Sequence, residues 1–216
     1  MRLSITQFVA QPRHPNHIAE VIETSTTEFL AQCLDTEQLG FPTMPPFGSW
    51  VCSQDEDSGN QLYGIVYHVT TSPIDSIHRA RALGLSLGEL REQQPQIFAL
   101  LKTEFRAVIV GFKPPMVGGN SFVYHHLPPR PPQIHQAVYR CTPEDAIAFT
   151  HQLDFLRTLL LLSGAPVDSL IAATIREIYQ LRQLDRPWLV QAGRTLSILL
   201  KDDYDRLRMI LNQIHG

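Results

Sequence analysis

The sequence predicts an α+β fold in which a small antiparallel β-barrel precedes a carboxy-terminal antiparallel helical unit. Three observations lead there. Leu62–Val69 and Glu104–Phe112 are short, rich in β-branched and aromatic residues, and nearly continuous in apolar character, as strands buried on both faces are. Residues 114–136 are crowded with proline: Pro114, Pro115, Pro128, Pro129, Pro131 and Pro132 make a stiff, extended connector. From Thr142 onward the apolar residues recur at helical spacing behind strong helix-start signals. The organisation expected is a barrel over 1–113 with a partly helical insertion at 72–103, a connector over 114–141, and a helical unit over 142–216.

Taken in order, residues 3–9 alternate apolar and polar and read as a first strand, broken by Pro12 and Pro15. His17–Glu23 and Glu28–Leu34 follow, joined by a connection short enough for a hairpin. In the latter, Phe29, Ala31 and Cys33 share one face. After a loop holding Gly40, Pro42, Pro45 and Pro46, residues 48–53 form a short strand. The acidic run Asp55–Asn60 lacks the ligand spacing of a calcium loop and reads as a solvated turn. Ser86 and Glu89 have capping-box spacing within the insertion, and Ile97–Lys102 looks helical. Ser121–Tyr124 could add a strand inside the connector.

Thr142, Pro143, Glu144 and Asp145 combine a hydroxyl cap, a first-turn proline and two carboxylates at the positive end of the helix dipole. That helix is expected to run to Ser163, before Gly164. Pro166 begins the next, with Val167, Ile171, Ile175 and Ile178 on one face; Asp185–Pro187 begins a third. Asp202 or Asp203 begins a last one, with Leu207, Ile210, Leu211 and Ile214 as its stripe. Leu159, Leu160, Leu161 and Leu162, being consecutive, would point around most of a helix circumference, so the first helix is expected to be covered on more than one side.

Charge argues against a duplex-binding surface. Residues 1–120 hold 8 basic against 12 acidic side chains, net −4; residues 121–216 hold 10 against 9, net +1. Arginines outnumber lysines 15 to 3, which suits interfaces and ion pairs. Cys33, Cys52 and Cys141 are far apart with no paired spacing and fit reduced thiols in a cytoplasmic protein. No signal peptide or membrane-spanning run is found.

The strands at 17–23, 27–34, 48–53 and 62–69, with the block Leu100–Gly111, resemble the HAS barrel. This is the small β-barrel shared by HerA-type DNA-translocating ATPases and the amino-terminal domains of rotary ATP synthase catalytic subunits. The whole chain is similar to stand-alone HAS-barrel proteins of cyanobacteria. The resemblance covers residues 1–113 and implies a docking or ring-forming module. The catalytic phosphate loop of those ATPases has no counterpart: there is no GxxxxGK.

Other chemistry is equally sparse. GxGxxG, GxSxG and HExxH are absent, and no catalytic, cofactor-binding or metal-binding residue is assigned. The densest polar cluster is His125, His126, Arg130 and His135, whose spacing fits no standard zinc site. His78, Arg79 and Arg81 form a small basic patch that reads as a solvated face. Tyr63, Tyr67 and Phe105 could stack bases, but only Arg106 lies among them, so they read as core. The expectation is a non-catalytic protein-protein interaction or assembly factor, docking on a larger complex or a ring ATPase, with self-association as another use. Its candidate contacts are His125, His126, Arg130, His135, Leu159, Leu160, Leu161 and Leu162. A nucleic-acid-binding barrel and an enzyme of unrecognised type are the alternatives.

Overall fold

A computed structural model describes residues 14–34, 44–74, 81–115 and 122–215. The strand expected at 3–9, the residues Gly40 and Pro42, and the pair His78 and Arg79 lie outside the described residues. Six strands form a closed antiparallel barrel: β1 (His17–Thr24), β2 (Glu28–Cys33), β3 (Trp50–Gln54), β4 (Gln61–Pro73), β5 (Leu101–Lys113) and β6 (Ala137–Arg140), ordered β1-β2-β5-β4-β3-β6. The β1–β2 hairpin turns at Ser25, whose hydroxyl both donates to the Glu28 carbonyl (2.9 Å) and accepts from the Glu28 amide (3.2 Å). β4 and β5 pair along their whole length, with register shifts at Tyr63/Gly64 and Val66/His68. They reach further than the 62–69 and 104–112 expected, because Thr70–Pro73 continues to pair with Leu101–Glu104.

The barrel interior is closed by large and small side chains in combination. Phe29 and Phe105 fill it beside Ala19, Ala31 and Ala107. Gly64 belongs to this fit: a Cβ there would lie 3.2 Å from the Phe29 ring and 3.3 Å from the Ala107 methyl. The face shared by Phe29, Ala31 and Cys33 is the interior one.

A second core lies outside the barrel wall. Trp50, Tyr63, Ile65, Val108 and Val110 point outward from β3, β4 and β5 into a helical layer. This is why the 62–69 and 104–112 runs are apolar almost without interruption: one set of residues fills the barrel and the alternate set meets helices. Two short helices, α1 (Leu87–Gln93) and α2 (Gln96–Ala99), lie between β4 and β5. The Ser86–Glu89 capping box at α1 is formed in both directions. The remaining helices are α3 (Pro143–Phe149), α4 (Phe155–Leu160), α5 (Val167–Leu181), α6 (Arg186–Leu199) and α7 (Tyr204–His215). α5 is the hub: it packs against α3, α4, α6 and α7, and buries Leu170, Ile171, Ile175 and Ile178.

Two features differ from expectation. First, a strand of the barrel comes from the connector expected over 114–141: β6 pairs with β1 and β3 and closes the ring. Ser121–Tyr124 contributes an isolated bridge, Tyr124 to Phe112, with Ser121 outside the described residues. Second, the helix expected over 142–163 is broken. α3 starts as anticipated, with Thr142 accepting from the Asp145 amide and Pro143 in the first turn, but it stops at Phe149. The carbonyls freed there find side-chain donors. Arg182 Nη2 donates to the Ile147 carbonyl (2.7 Å), and Trp188 Nε1 donates to the Thr150 carbonyl (2.9 Å). The chain restarts at Asp154 as α4.

Candidate functional site

A groove of about 950 Å³ lies between the barrel exterior, the segment after Tyr124 and the end of α4. Its floor is the barrel exterior: Glu28 on β2, Tyr67 and His68 on β4, Arg106 and Val108 on β5. One bank is the segment His125, His126 and Leu127; the other is Thr158, Leu161, Leu162 and Gly164 at the end of α4 and just beyond.

The floor is polar but internally satisfied. At Tyr67 the register of β4 slips against β5, and such a bulge re-aims a side chain. The Tyr67 hydroxyl donates to Glu28 Oε2, while Arg106 Nη1 donates to Glu28 Oε1 (3.1 Å) and Arg106 Nη2 reaches Glu23 Oε2 (3.5 Å). Burial, reinforced by the Glu28 carboxylate, pushes the Tyr67 phenol up to about 12, so it stays a donor through the physiological range. His68 Nε2 pairs with Thr70 Oγ1 at 3.0 Å.

The first bank is held by backbone. The Phe112 amide donates to the Tyr124 carbonyl (3.0 Å), and the Tyr124 amide donates back to the Phe112 carbonyl (2.8 Å). Phe112 and Tyr124 stack with ring centroids 5.2 Å apart. Gly111 makes the approach possible, since a Cβ there would fall 2.1 Å from the Tyr124 carbonyl oxygen. His125 then turns inward against Phe149 (4.5 Å between centroids) and Phe155 (6.4 Å). Its Nδ1 is buried without a hydrogen-bond partner among the described residues. Burial lowers its pKa, opposed by the charge of Asp154, so the neutral ring is favoured. His126 is exposed, with Nδ1 3.0 Å from the Leu127 carbonyl.

The other bank corrects the all-round leucine helix. α4 ends at Leu160, so the four leucines do not share one helical surface. Leu159 is fully buried in the core, Leu160 and Leu162 are half-buried, and Leu161 stands 80% exposed. The groove thus unites four of the sequence candidates, His125, His126, Leu161 and Leu162. It excludes the rest. Arg130 is spent on the acidic turn, 2.9 Å from Asp57 and 3.4 Å from Asp55, and His135 is exposed with its Nδ1 3.9 Å from Glu20. Tyr63 and Phe105 are core residues.

Glu28 and His68 were not singled out in the sequence, where Tyr67 was read only as a core aromatic with Arg106 nearby. The four come from three strands, and only the pairing of β2, β4 and β5 brings them together. No group of three or more histidine, cysteine or carboxylate side chains among the described residues could hold a metal ion, and no described helix is long and apolar enough to cross a membrane.

No curated protein matches the chain. The stretch from β1 through β5 does have a relative at the level of families: residues 18–112 match the family model of the HAS barrel domain, and with β6 they build the six-stranded closed barrel described above.

Proposed function

We propose that the protein is a non-catalytic interaction or assembly factor that docks on a larger protein, such as a ring ATPase supplied in trans, through the groove beside its HAS barrel domain. The observation that carries this reading is the exposure of Leu161, 80%, with Leu127, 41%, on opposite banks of a groove whose polar floor is already paired. Exposed apolar side chains around a concave surface mark contact sites. The match to the HAS barrel domain supports the same reading, since that fold occurs in interaction and ATPase-associated settings. The floor favours recognition over bond making. Glu28 is held by Tyr67 and Arg106, so its carboxylate is already committed as an acceptor. The sequence has no GxxxxGK, in keeping with the stand-alone cyanobacterial type that it resembles. All three cysteines are free thiols, which suits a cytoplasmic setting.

Site-specific photo-crosslinking in living cells tests the proposal, with the crosslinker placed at Leu161, at Leu127, or at the exposed Gln191 of α6. The two groove positions should capture the same protein, and Gln191 should not. Equal capture from all three positions, or none from the groove, would overturn it.

A further inference from the structure

Away from the groove, two of the three free cysteines stand side by side. On the β3–β6 ladder Cys52 is opposite Tyr139, and the Cys141 amide donates to the Trp50 carbonyl (3.1 Å) two residues further along. Cys52 and Cys141 therefore occupy diagonal positions on one face of the sheet, within side-chain reach. The neighbouring Cys141 side chain lowers the pKa of Cys52, against the opposing effect of burial. Burial, reinforced by Cys52 itself, raises that of Cys141. Both side chains are nearly buried, Cys52 at 8% and Cys141 at 9% exposed. Cys52, rather than Cys141, lines a pocket of about 230 Å³ with Tyr139, Arg140, Thr142 and Asp145. Lys113 favours the Cys52 thiolate and Asp145 opposes it. Cys33 differs in every respect: it sits inside the barrel, and burial pushes its thiol up to about 11.

We propose that Cys52 and Cys141 form an oxidation site, in which a small hydroperoxide entering the pocket reacts at Cys52 and Cys141 then closes a disulfide to it. In the first step the Cys52 thiolate attacks the distal peroxide oxygen. The O–O bond breaks, Cys52 becomes a sulfenic acid, and the alkoxide or hydroxide leaves, taking up the proton that Cys52 released. In the second step Cys141 gives up its proton and its sulfur attacks the Cys52 sulfur. The S–O bond breaks and hydroxide leaves as water. Two thiols lose two electrons in all, and the peroxide is reduced to water and an alcohol, or to two waters. The pocket has room for a molecule of this size, and closing the disulfide would require the Cys141 backbone, one residue beyond β6, to move toward Cys52.

The test uses the full chain. Hydrogen peroxide is added under native conditions, the reaction is quenched by alkylation after unfolding, and peptides are mapped by mass spectrometry. A Cys52–Cys141 linked peptide should form within single chains at least about tenfold faster than Cys33 is oxidised. In Cys141→Ser, dimedone should trap a sulfenic acid at Cys52; in Cys52→Ser, Cys141 should remain unlabelled. Oxidation of Cys52 no faster than Cys33, or linkage found only between chains, would overturn the proposal. The wild-type arm decides the matter even where a serine variant folds poorly.

Discussion

Replacing Phe149 with alanine should strike the barrel and the helical layer together. The ring is 1% exposed and lies between Tyr63 (4.7 Å), Trp50 (5.2 Å), His125 (4.5 Å) and Phe155 (6.2 Å). A buried phenylalanine truncated to alanine costs about 3–5 kcal/mol, and the cost is highest where surroundings cannot collapse. Here one side of the cavity is a closed barrel wall and the other is packed by His125 and Phe155, so a loss of about 4–5 kcal/mol is expected. With a urea slope of about 2 kcal/mol per molar, the midpoint should fall by about 2 M. The assay is built in. Trp50 touches Phe149 directly, and Trp188 hydrogen-bonds the next residue, Thr150, so one tryptophan reports each layer. Single-tryptophan variants should show coincident transitions in the wild-type background and an equal downward shift on Phe149→Ala. A loss below about 1 kcal/mol would refute the shared core. So would a shift confined to the Trp188 signal, because barrel and helices would then be melting separately.

Four further outcomes are expected. Gly111→Ala should push the Tyr124 carbonyl off β5 and disorganise the His125–Leu127 bank; crosslinking from Leu127 should drop while far-ultraviolet circular dichroism stays near wild type. Glu177, on α5, has its carboxyl pushed up to about 7 by burial, with Arg140 pulling the other way. A folded-state pKa above the unfolded value favours the protonated acid, so wild-type stability should decline as pH rises from about 4.5 to 7. Glu177→Gln should then raise the Tm at pH 8 and lose that advantage near pH 4.5; a pH-independent difference would contradict the burial argument. Finally, purified protein should release no phosphate from ATP above background. Generic duplex DNA should bind only weakly at physiological salt in fluorescence anisotropy, given the net −4 of residues 1–120; sub-micromolar affinity with a steep salt slope would favour a nucleic-acid role instead.

Local signals in this chain were reliable where they concerned local structure. The caps at Ser86, Thr142 and Asp185 all form, and of the stripe Leu207, Ile210, Leu211 and Ile214 all are buried except Leu211, which is half-buried. The HAS-barrel resemblance also led to the right fold. What escaped was long-range. β6 is only four residues, Ala-Val-Tyr-Arg, embedded among prolines, and it becomes a strand because β1 and β3 offer it two edges. The interruption at Thr150 is set by Arg182 and Trp188, more than thirty residues away, which supply donors where a continuing helix would need none. The groove was half legible. Composition drew attention to the histidines and leucines, but Glu28, Tyr67 and Arg106 gain meaning only from register.

The position of β6 has a consequence for the order in which the chain can fold as it is made. Residues 18–112 contain the family match, yet β1 and β3 each lack a neighbour until residues 137–140 have left the ribosome. A nascent chain released near residue 113 would carry two unpaired strand edges, a ready template for pairing with other chains. The intervening prolines then act as a timing element. They keep the segment extended, so that β6 arrives as a pre-stretched closing strand. Only two residues separate the end of β6 from the start of α3, which ties completion of the ring to the docking of α3 against its wall.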